Sequence, residues 1–414
     1  MKNISISKKS ILFITPYFPS EFSGHAGAQL IFRNLIILSK NYNIFLISFI
    51  NSNELMYLDI LKEHGINISY IIFNRNSKKL TTNFINFFKH FPALLQSFLF
   101  FIPFFLTKYK NKNFKKIVDK TIAGNKIDII QIEYNIMHHY LPQNNKIKSI
   151  LMLHDVSTKL YERSYQQNKN IFVKSYRYID YLRWKSVEFK IINKFDKVIS
   201  LTKEDKQYIY NKVNTSIAIV PPQIQFEECS INNGKNMNII FIGSYNREPN
   251  INALEILLFN IFPKIQDEFP DLILTIVGKY LPLYLQKHIN KNDNIIYKGF
   301  VENINNEISN AILMIAPIFI GAGLKMKIPH ALSCGVPVIT TTVGAEGIEL
   351  NESEGLWVEN DTLKIISLAI NLLKDKNSLI QKGILGKEKV NELFSSKVIN
   401  KKIVSIYDEL LNIS

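Results

Sequence analysis

Cysteine is scarce: Cys229 and Cys334 are the two in 414 residues. Neither sits in a C-x-x-C pair or in a Cys/His spacing that suits zinc. The sequence therefore points away from a metal site and from a disulfide framework, and towards a reducing cytoplasm. Long apolar runs are missing too, since no stretch reaches the ~20 uninterrupted apolar residues of a spanning helix. The short basic start, Met1–Ser10, leads into Ile11–Ile14, which breaks at Thr15-Pro16, too soon for a secretory core. Acidic charge is in deficit, with 35 Asp and Glu against 50 Lys and Arg, a net +15. Such a surface favours anionic partners such as acidic lipid or phosphorylated substrates, or it reflects only the Lys- and Asn-rich usage of an A/T-rich genome. The basic residues are scattered and no recognition motif accompanies them, so nucleic acid is not an expected partner.

What is present is an ordinary globular balance, 47% hydrophobic and 21% charged, in a chain long enough for two domains of about 200 residues each. Short β-branched runs recur at Ile11–Ile14, Ile44–Phe49, Ile127–Ile132, Ile150–Leu153 and Lys197–Leu201. A second series runs Ile239–Ile242, Leu272–Val277, Ile295–Tyr297, Ile312–Ala316 and Val336–Thr340. Runs of this kind are parallel strands buried on both faces. Helical segments such as Ala26–Ser39 and Ala253–Phe269 lie between them. The alternation predicts an α/β chain of two doubly wound parallel sheets. Pro221-Pro222 and the polar stretch Asn232–Asn236 separate the two series, giving expected domains of 1–222 and 223–395. The amphipathic segment Ser395–Leu411 is expected to be a helix, and the C-terminal 396–414 is expected to cross back to the first domain.

Ligands of doubly wound sheets bind beyond the carboxyl ends of strands, where glycine-rich turns present backbone N–H groups to phosphate. Three turns qualify. Ser23-Gly24-His25-Ala26-Gly27-Ala28 follows the first strand. Gly243-Ser244-Tyr245-Asn246-Arg247-Glu248-Pro249-Asn250 opens the second series and offers one cation, Arg247. The third is Gly321-Ala322-Gly323-Leu324-Lys325-Met326-Lys327, with Pro329-His330 beyond it. There a pyrophosphate can rest on the Gly321–Leu324 amides while Lys325 or Lys327 neutralises its charge.

Gly321–Gly347, ending in Thr340-Thr341-Thr342-Val343-Gly344-Ala345-Glu346-Gly347, resembles the donor-binding region of the family 4 (group 1) retaining glycosyltransferases, which have the GT-B fold. Thr15-Pro16-Tyr17-Phe18-Pro19, the Gly243–Asn250 loop, Ile276-Val277-Gly278 and Tyr297-Lys298-Gly299-Phe300-Val301 extend the likeness over most of the chain. It is tight over 237–350 and loose before 220. The resemblance implies that Gly321, Ala322, Gly323 and Leu324 hold the sugar and phosphates of a nucleotide-sugar donor. It implies that Arg247 and Lys325 supply positive charge as the diphosphate leaves. Gly243 opens the loop that carries Arg247, and Gly299 to Val301 line the base pocket. Gly27 approaches the donor phosphate, although the family usually has two glycines where this chain has Ala26-Gly27. The family also carries two glutamates eight positions apart, where this chain has Ala322 and His330. A neutral His330 still hydrogen-bonds a ribose hydroxyl, and Glu346 is a substitute acid unless it is an exposed loop residue.

In the first series, Glu133 ends one strand and His154-Asp155 ends another, positions suited to orienting or deprotonating an acceptor hydroxyl. His138-His139 lies further into a loop and reads as solvated. The aromatic, lysine-flanked segment Lys78–Lys116 reads either as an element at an anionic membrane surface or as a buried helix pair. The resulting expectation is a cytoplasmic enzyme, placed at the inner face of the cytoplasmic membrane. It moves a sugar onto a glycan or lipid-linked acceptor in surface polysaccharide or glycoconjugate biosynthesis, with no cofactor and no metal. A GT-B nucleotide-sugar epimerase and a non-catalytic binding protein that has lost its donor site are the alternatives.

Overall fold

The computed structural model describes residues 8–23, 25–74, 91–143, 146–168, 170–224, 229 and 237–412. Gly24, the 78–90 part of the basic aromatic segment and Asn232–Asn236 lie outside them. The chain divides into two compact units. One comprises Met1–Tyr165, Asn170–Pro222 and Asn400–Ser414, the other Gln223–Ile399 with Gln166–Lys169.

The first unit is built on a seven-stranded sheet in the order β3-β2-β1-β4-β5-β6-β7. Its strands are β1 Ser10–Thr15, β2 Asn43–Ile50, β3 Asn67–Ile72, β4 Ile129–Glu133, β5 Lys148–Leu153, β6 Lys197–Ser200 and β7 Ser216–Ile219. Every pairing is parallel, with Ile11 opposite both Ile44 and Ile129. Helices cover such a sheet on both faces, so a central strand has no solvated side: Ile11, Leu12, Phe13 and Ile14 are all fully buried. The edge strand β3 alternates between exposed and half-buried residues, which is why a search for continuous apolar runs passes over it.

The second unit carries six parallel strands in the order β10-β9-β8-β11-β12-β13. They are β8 Asn238–Ile242, β9 Ile273–Val277, β10 Ile295–Gly299, β11 Leu313–Ala316, β12 Val338–Thr340 and β13 Leu356–Val358. The predicted helix Ala253–Phe269 begins earlier, at Glu248, and is interrupted by a π-turn at Leu257–Ile261. Pro263 has no N–H to return to residue 259, and the helix widens there instead of breaking. Leu254, Leu257, Leu258, Ile261 and Phe262 stay fully buried through the irregularity, each contributing about 1.5–3 kcal/mol by its burial.

In each sheet the strand order reverses once, between β1 and β4 and between β8 and β11. These switch points open a crevice at the carboxyl ends of the strands. The last helix, Ser396–Leu411, buries Ile399, Ile403 and Tyr407 on one stripe. Its 400–411 part belongs to the first unit, where the Tyr407 hydroxyl donates to Gln131 Oε1 and the Tyr42 hydroxyl to Asp408 Oδ1 at 2.5 Å.

The cysteine expectation needs correction. Cys229 and Cys334, 105 residues apart, are joined as a disulfide, their Cα atoms separated by 5.1 Å. Spacing rules detect only cysteines close in sequence, and the packing of the second unit brings together two that are not.

Candidate active site

At the first switch point β1 ends in a tight Thr15–Tyr17 turn, with the Tyr17 N–H donating to Thr15 Oγ1 at 3.2 Å. β4 and β5 deliver Glu133 and His154 side by side. His154 Nε2–H donates to Glu133 Oε2 at 2.7 Å, and Gln131 Nε2 donates to Glu133 Oε1 at 2.5 Å. Glu133 is wholly buried and His154 nearly so. This bond fixes the ring's orientation and, in the neutral tautomer, leaves Nδ1 as its acceptor. Asp155, next in the chain, is half-buried.

A wall of rings follows. Tyr134 stacks on His154 with centroids 3.9 Å apart, Tyr17 meets Tyr134 edge-on at 5.3 Å, and His25 stacks on Tyr17 at 4.2 Å. Tyr134 adopts φ 67°, a left-handed conformation that costs a non-glycine residue on the order of 1–3 kcal/mol. Gly27 accommodates it, because a Cβ there would stand 1.7 Å from the Tyr134 hydroxyl oxygen. The sequence marks Gly27, Glu133 and His154 separately and misses the aromatic layer that joins them.

The solvated reading of His138-His139 is wrong. Both imidazoles are tucked into the unit, His138 Nδ1 bonding to the Asn135 carbonyl at 3.0 Å and His139 Nε2 to the Tyr109 carbonyl at 3.3 Å. Burial lowers their pKa values to about 4 and about 3. A second buried carboxylate, Glu188, went unnoticed in the sequence. It accepts from the Ser157 and Thr158 N–H groups at 2.8 and 2.7 Å, closing the start of the helix Ser157–Gln167.

In the second unit four loops converge beyond β8, β9, β11 and β12. Gly278 (φ +140°) follows β9, and a Cβ on it would stand 1.6 Å from the Gly243 carbonyl oxygen. Only glycine allows that approach. Asn250 Nδ2 donates to the Ser244 carbonyl at 2.8 Å and keeps the loop after β8 compact. Arg247, in the same loop, is exposed. After β11, Gly321 and Gly323 take φ +142° and +69°, and the chain turns so that Lys325 and Lys327 diverge. Lys325 Nζ reaches Glu346 Oε2 at 2.9 Å and the Gly323 carbonyl at 2.7 Å. Lys327 Nζ reaches Asn250 Oδ1 at 2.7 Å.

Glu346 is therefore no exposed loop residue: it is 4% exposed, and its carboxylate faces an ammonium. His330, in the helix Lys327–Ser333, donates its Nε2–H to Asn305 Oδ1 at 2.6 Å. Ala322 and Leu324 are half-buried beside the glycines. Gly299 takes φ +65°, and its carbonyl accepts from Gly278 N–H at 2.7 Å, which ties the Gly299–Val301 loop to the same cluster. Gly243, Arg247, Gly299, Val301, the Gly321–Lys325 turn, His330 and Glu346 thus all sit on one end of one sheet. His154, Asp155, Glu133 and Gly27 gather at the switch point of the other.

Residues 236–375 match the family model described as Glycosyl transferases group 1. The chain is similar to an uncharacterized 44.6 kDa protein in the cps region of Klebsiella pneumoniae, 25% identical over 263 residues that cover 61% of this chain and 67% of that one. Its fold is similar to that of sucrose-phosphate synthase from Thermosynechococcus elongatus, with TM-score 0.71, 15% identity and coverage of 98% and 100%. It is also similar to Anabaena HepE solved in complex with UDP, with TM-score 0.67, 12% identity and coverage of 97% and 100%.

Proposed function

We propose that the chain is a group 1 glycosyltransferase of the GT-B fold, moving a sugar from a nucleoside-diphosphate sugar onto a glycan or lipid-linked acceptor in the assembly of a surface polysaccharide or glycoconjugate. The observation that carries the reading is the convergence, in the second unit, of the Gly321–Gly323 turn with Arg247 and two lysines. Such a turn receives a diphosphate through backbone N–H groups, and the cations stabilise the charge that develops as the C1–oxygen bond to the phosphate breaks. In this reading protein cations meet that charge and no metal ion is needed. His330, held by Asn305, faces the ribose in place of the usual glutamate. His154, oriented by Glu133, positions the acceptor hydroxyl with Asp155. Transfer with retention of configuration at C1 belongs to the same proposal. The similarity to HepE, which was solved with UDP, and to a protein in a cps region supports the donor class and the pathway.

No helix among the described residues is long and apolar enough to cross a membrane. Phe98, Leu99 and Phe100 are nonetheless 75%, 64% and 69% exposed, with Lys108, Lys110, Lys112, Lys115 and Lys116 close behind them in sequence. This exposure favours a peripheral contact with anionic lipid at the inner face of the cytoplasmic membrane over a buried helix pair.

The experiment is a calorimetric titration with UDP-, GDP- and ADP-sugars. One donor is expected to saturate a single site, and Gly323→Asp is expected to lose it, because a carboxylate then meets the diphosphate. Unchanged affinity in Gly323→Asp removes the site from this turn.

A further inference from the structure

The chain after β11 carries two amines that look equivalent in sequence, Lys325 in the loop and Lys327 at the start of the helix Lys327–Ser333, and the structure separates them. Lys325 is already neutralised, with its Nζ 2.9 Å from the Glu346 carboxylate. Lys327 points the other way. Its Nζ donates to Asn250 Oδ1 at 2.7 Å and lies 4.6 Å from the centroid of the Phe241 ring. Among the described residues it has no carboxylate partner.

The groups around Lys327 are accounted for element by element. β8 contributes the Phe241 ring, and the helix Glu248–Ile256 contributes the neutral Asn250. The loop between them contributes the Arg247 guanidinium, a like charge. The loop leading into its helix contributes Lys325, already paired with Glu346. Asn250 also holds the Ser244 carbonyl through Nδ2, so one amide anchors both the amine and the backbone of the loop after β8. The arrangement is a buried amine without a carboxylate, held against the loop after β8 that carries Arg247.

We propose that Lys327, rather than Lys325, is the ammonium that receives the donor diphosphate, and that it takes up a proton from solvent as the donor binds. The inference rests on the donor-site reading above. The balance is simple: Nζ as –NH2 accepts one proton and becomes –NH3+, and no bond of the donor breaks. Burial first, then the Arg247 charge, lower the Lys327 pKa to about 7 in the empty site. A diphosphate beside it raises that value again, since an opposite charge favours the charged form. The sign follows: affinity is highest below pH 7 and weakens as pH rises above it, by at most about tenfold per unit.

The test uses the whole chain at pH 7 with UDP-glucose, GDP-mannose and ADP-glucose, whose diphosphates carry no proton that titrates near neutrality. Each titration is run in phosphate and in Tris, buffers with very different heats of ionisation. For the sugar that binds, wild type is expected to draw about half a proton per site, so its apparent enthalpy differs between buffers by about half the difference in their ionisation heats. Lys327→Arg, permanently charged, is expected to keep binding and lose the buffer dependence. Lys327→Met is expected to weaken binding by about tenfold or more. Saturable binding with equal heats in both buffers overturns the proton uptake and leaves the donor site standing. Undiminished binding in Lys327→Met, in a protein with native unfolding behaviour, overturns the role of Lys327. Absence of binding by all three sugars overturns the donor reading itself.

Discussion

Replacing Glu346 by alanine should damage the second unit more than removing both members of its ion pair. The Lys325 and Glu346 side chains are 10% and 4% exposed and their charged atoms lie 2.9 Å apart. Glu346→Ala leaves the ammonium beside the Gly323 carbonyl without its counter-charge. Stranding a buried charge in this way costs about 3–5 kcal/mol, whereas replacing both partners with apolar residues of similar volume is often neutral or stabilising. With a urea m-value of about 2–3 kcal/mol/M for a unit of this size, a 3 kcal/mol loss lowers the unfolding midpoint by about 1–1.5 M. The two tryptophans make the assay specific. Trp357 belongs to the second unit and Trp184 to the first, each 2% exposed. In a Trp184→Phe background, fluorescence follows the second unit alone. The single variant should fall by about 1 M or more, and Lys325→Met/Glu346→Leu should stay within about 0.5 M of the parent. Equal losses in single and double variants, or an unmoved midpoint in Glu346→Ala, would refute the reasoning.

Gly27→Ala drives a methyl group into the Tyr134 hydroxyl and shifts the ring stacked on His154. kcat for transfer should fall by about 100-fold, and Tyr134→Phe in the same chain, which removes the clashing oxygen, should restore part of it. A wild-type kcat in Gly27→Ala would show that the ring layer does not position the acceptor. The first unit should also lose stability in acid. The unfolded chain protonates His138 and His139 near pH 6.5, while the folded imidazoles resist to about pH 4 and about pH 3. Their effect is absent above pH 6.5 and grows as pH falls towards those values. His139→Gln should flatten the decline in Trp184-detected unfolding, and an unchanged slope would assign the acid sensitivity elsewhere. Phe98→Glu/Phe100→Glu should abolish sedimentation with anionic vesicles and preserve donor binding. Loss of both together would place these side chains in the core.

The central strands were legible because a parallel strand covered on both faces has no polar positions: Ile11–Ile14 and Ile239–Phe241 announce themselves. The edge strands β3 and β7 did not, since exposure on one side gives them mixed composition, and β13 is apolar but only three residues long. The glycine turns were legible as well, for Gly321 and Gly323 adopt backbone angles that other residues avoid. Partner choice was not. The 21-residue separation of Lys325 from Glu346 and the 77-residue separation of Lys327 from Asn250 have no local pattern, so nothing in the sequence tells the paired lysine from the unpaired one. The ring layer of Tyr17, His25, Tyr134 and His154 was hidden for the same reason, its members coming from three different strand ends.

The hydrogen bond from Tyr407 to Gln131 bears on how the protein is made. Gln131 steadies Glu133, and Glu133 steadies His154, so the cluster at the first unit's switch point is anchored by a residue translated only after the second unit. The first unit cannot complete its core when its own strands have emerged. It waits, with the stripe that receives Ile403 and Tyr407 uncovered, while the whole second unit is translated. A nascent chain halted before residue 400 would therefore carry a finished six-stranded sheet and an unfinished first unit, and expression of residues 1–222 alone would yield a unit lacking the 400–411 helical segment.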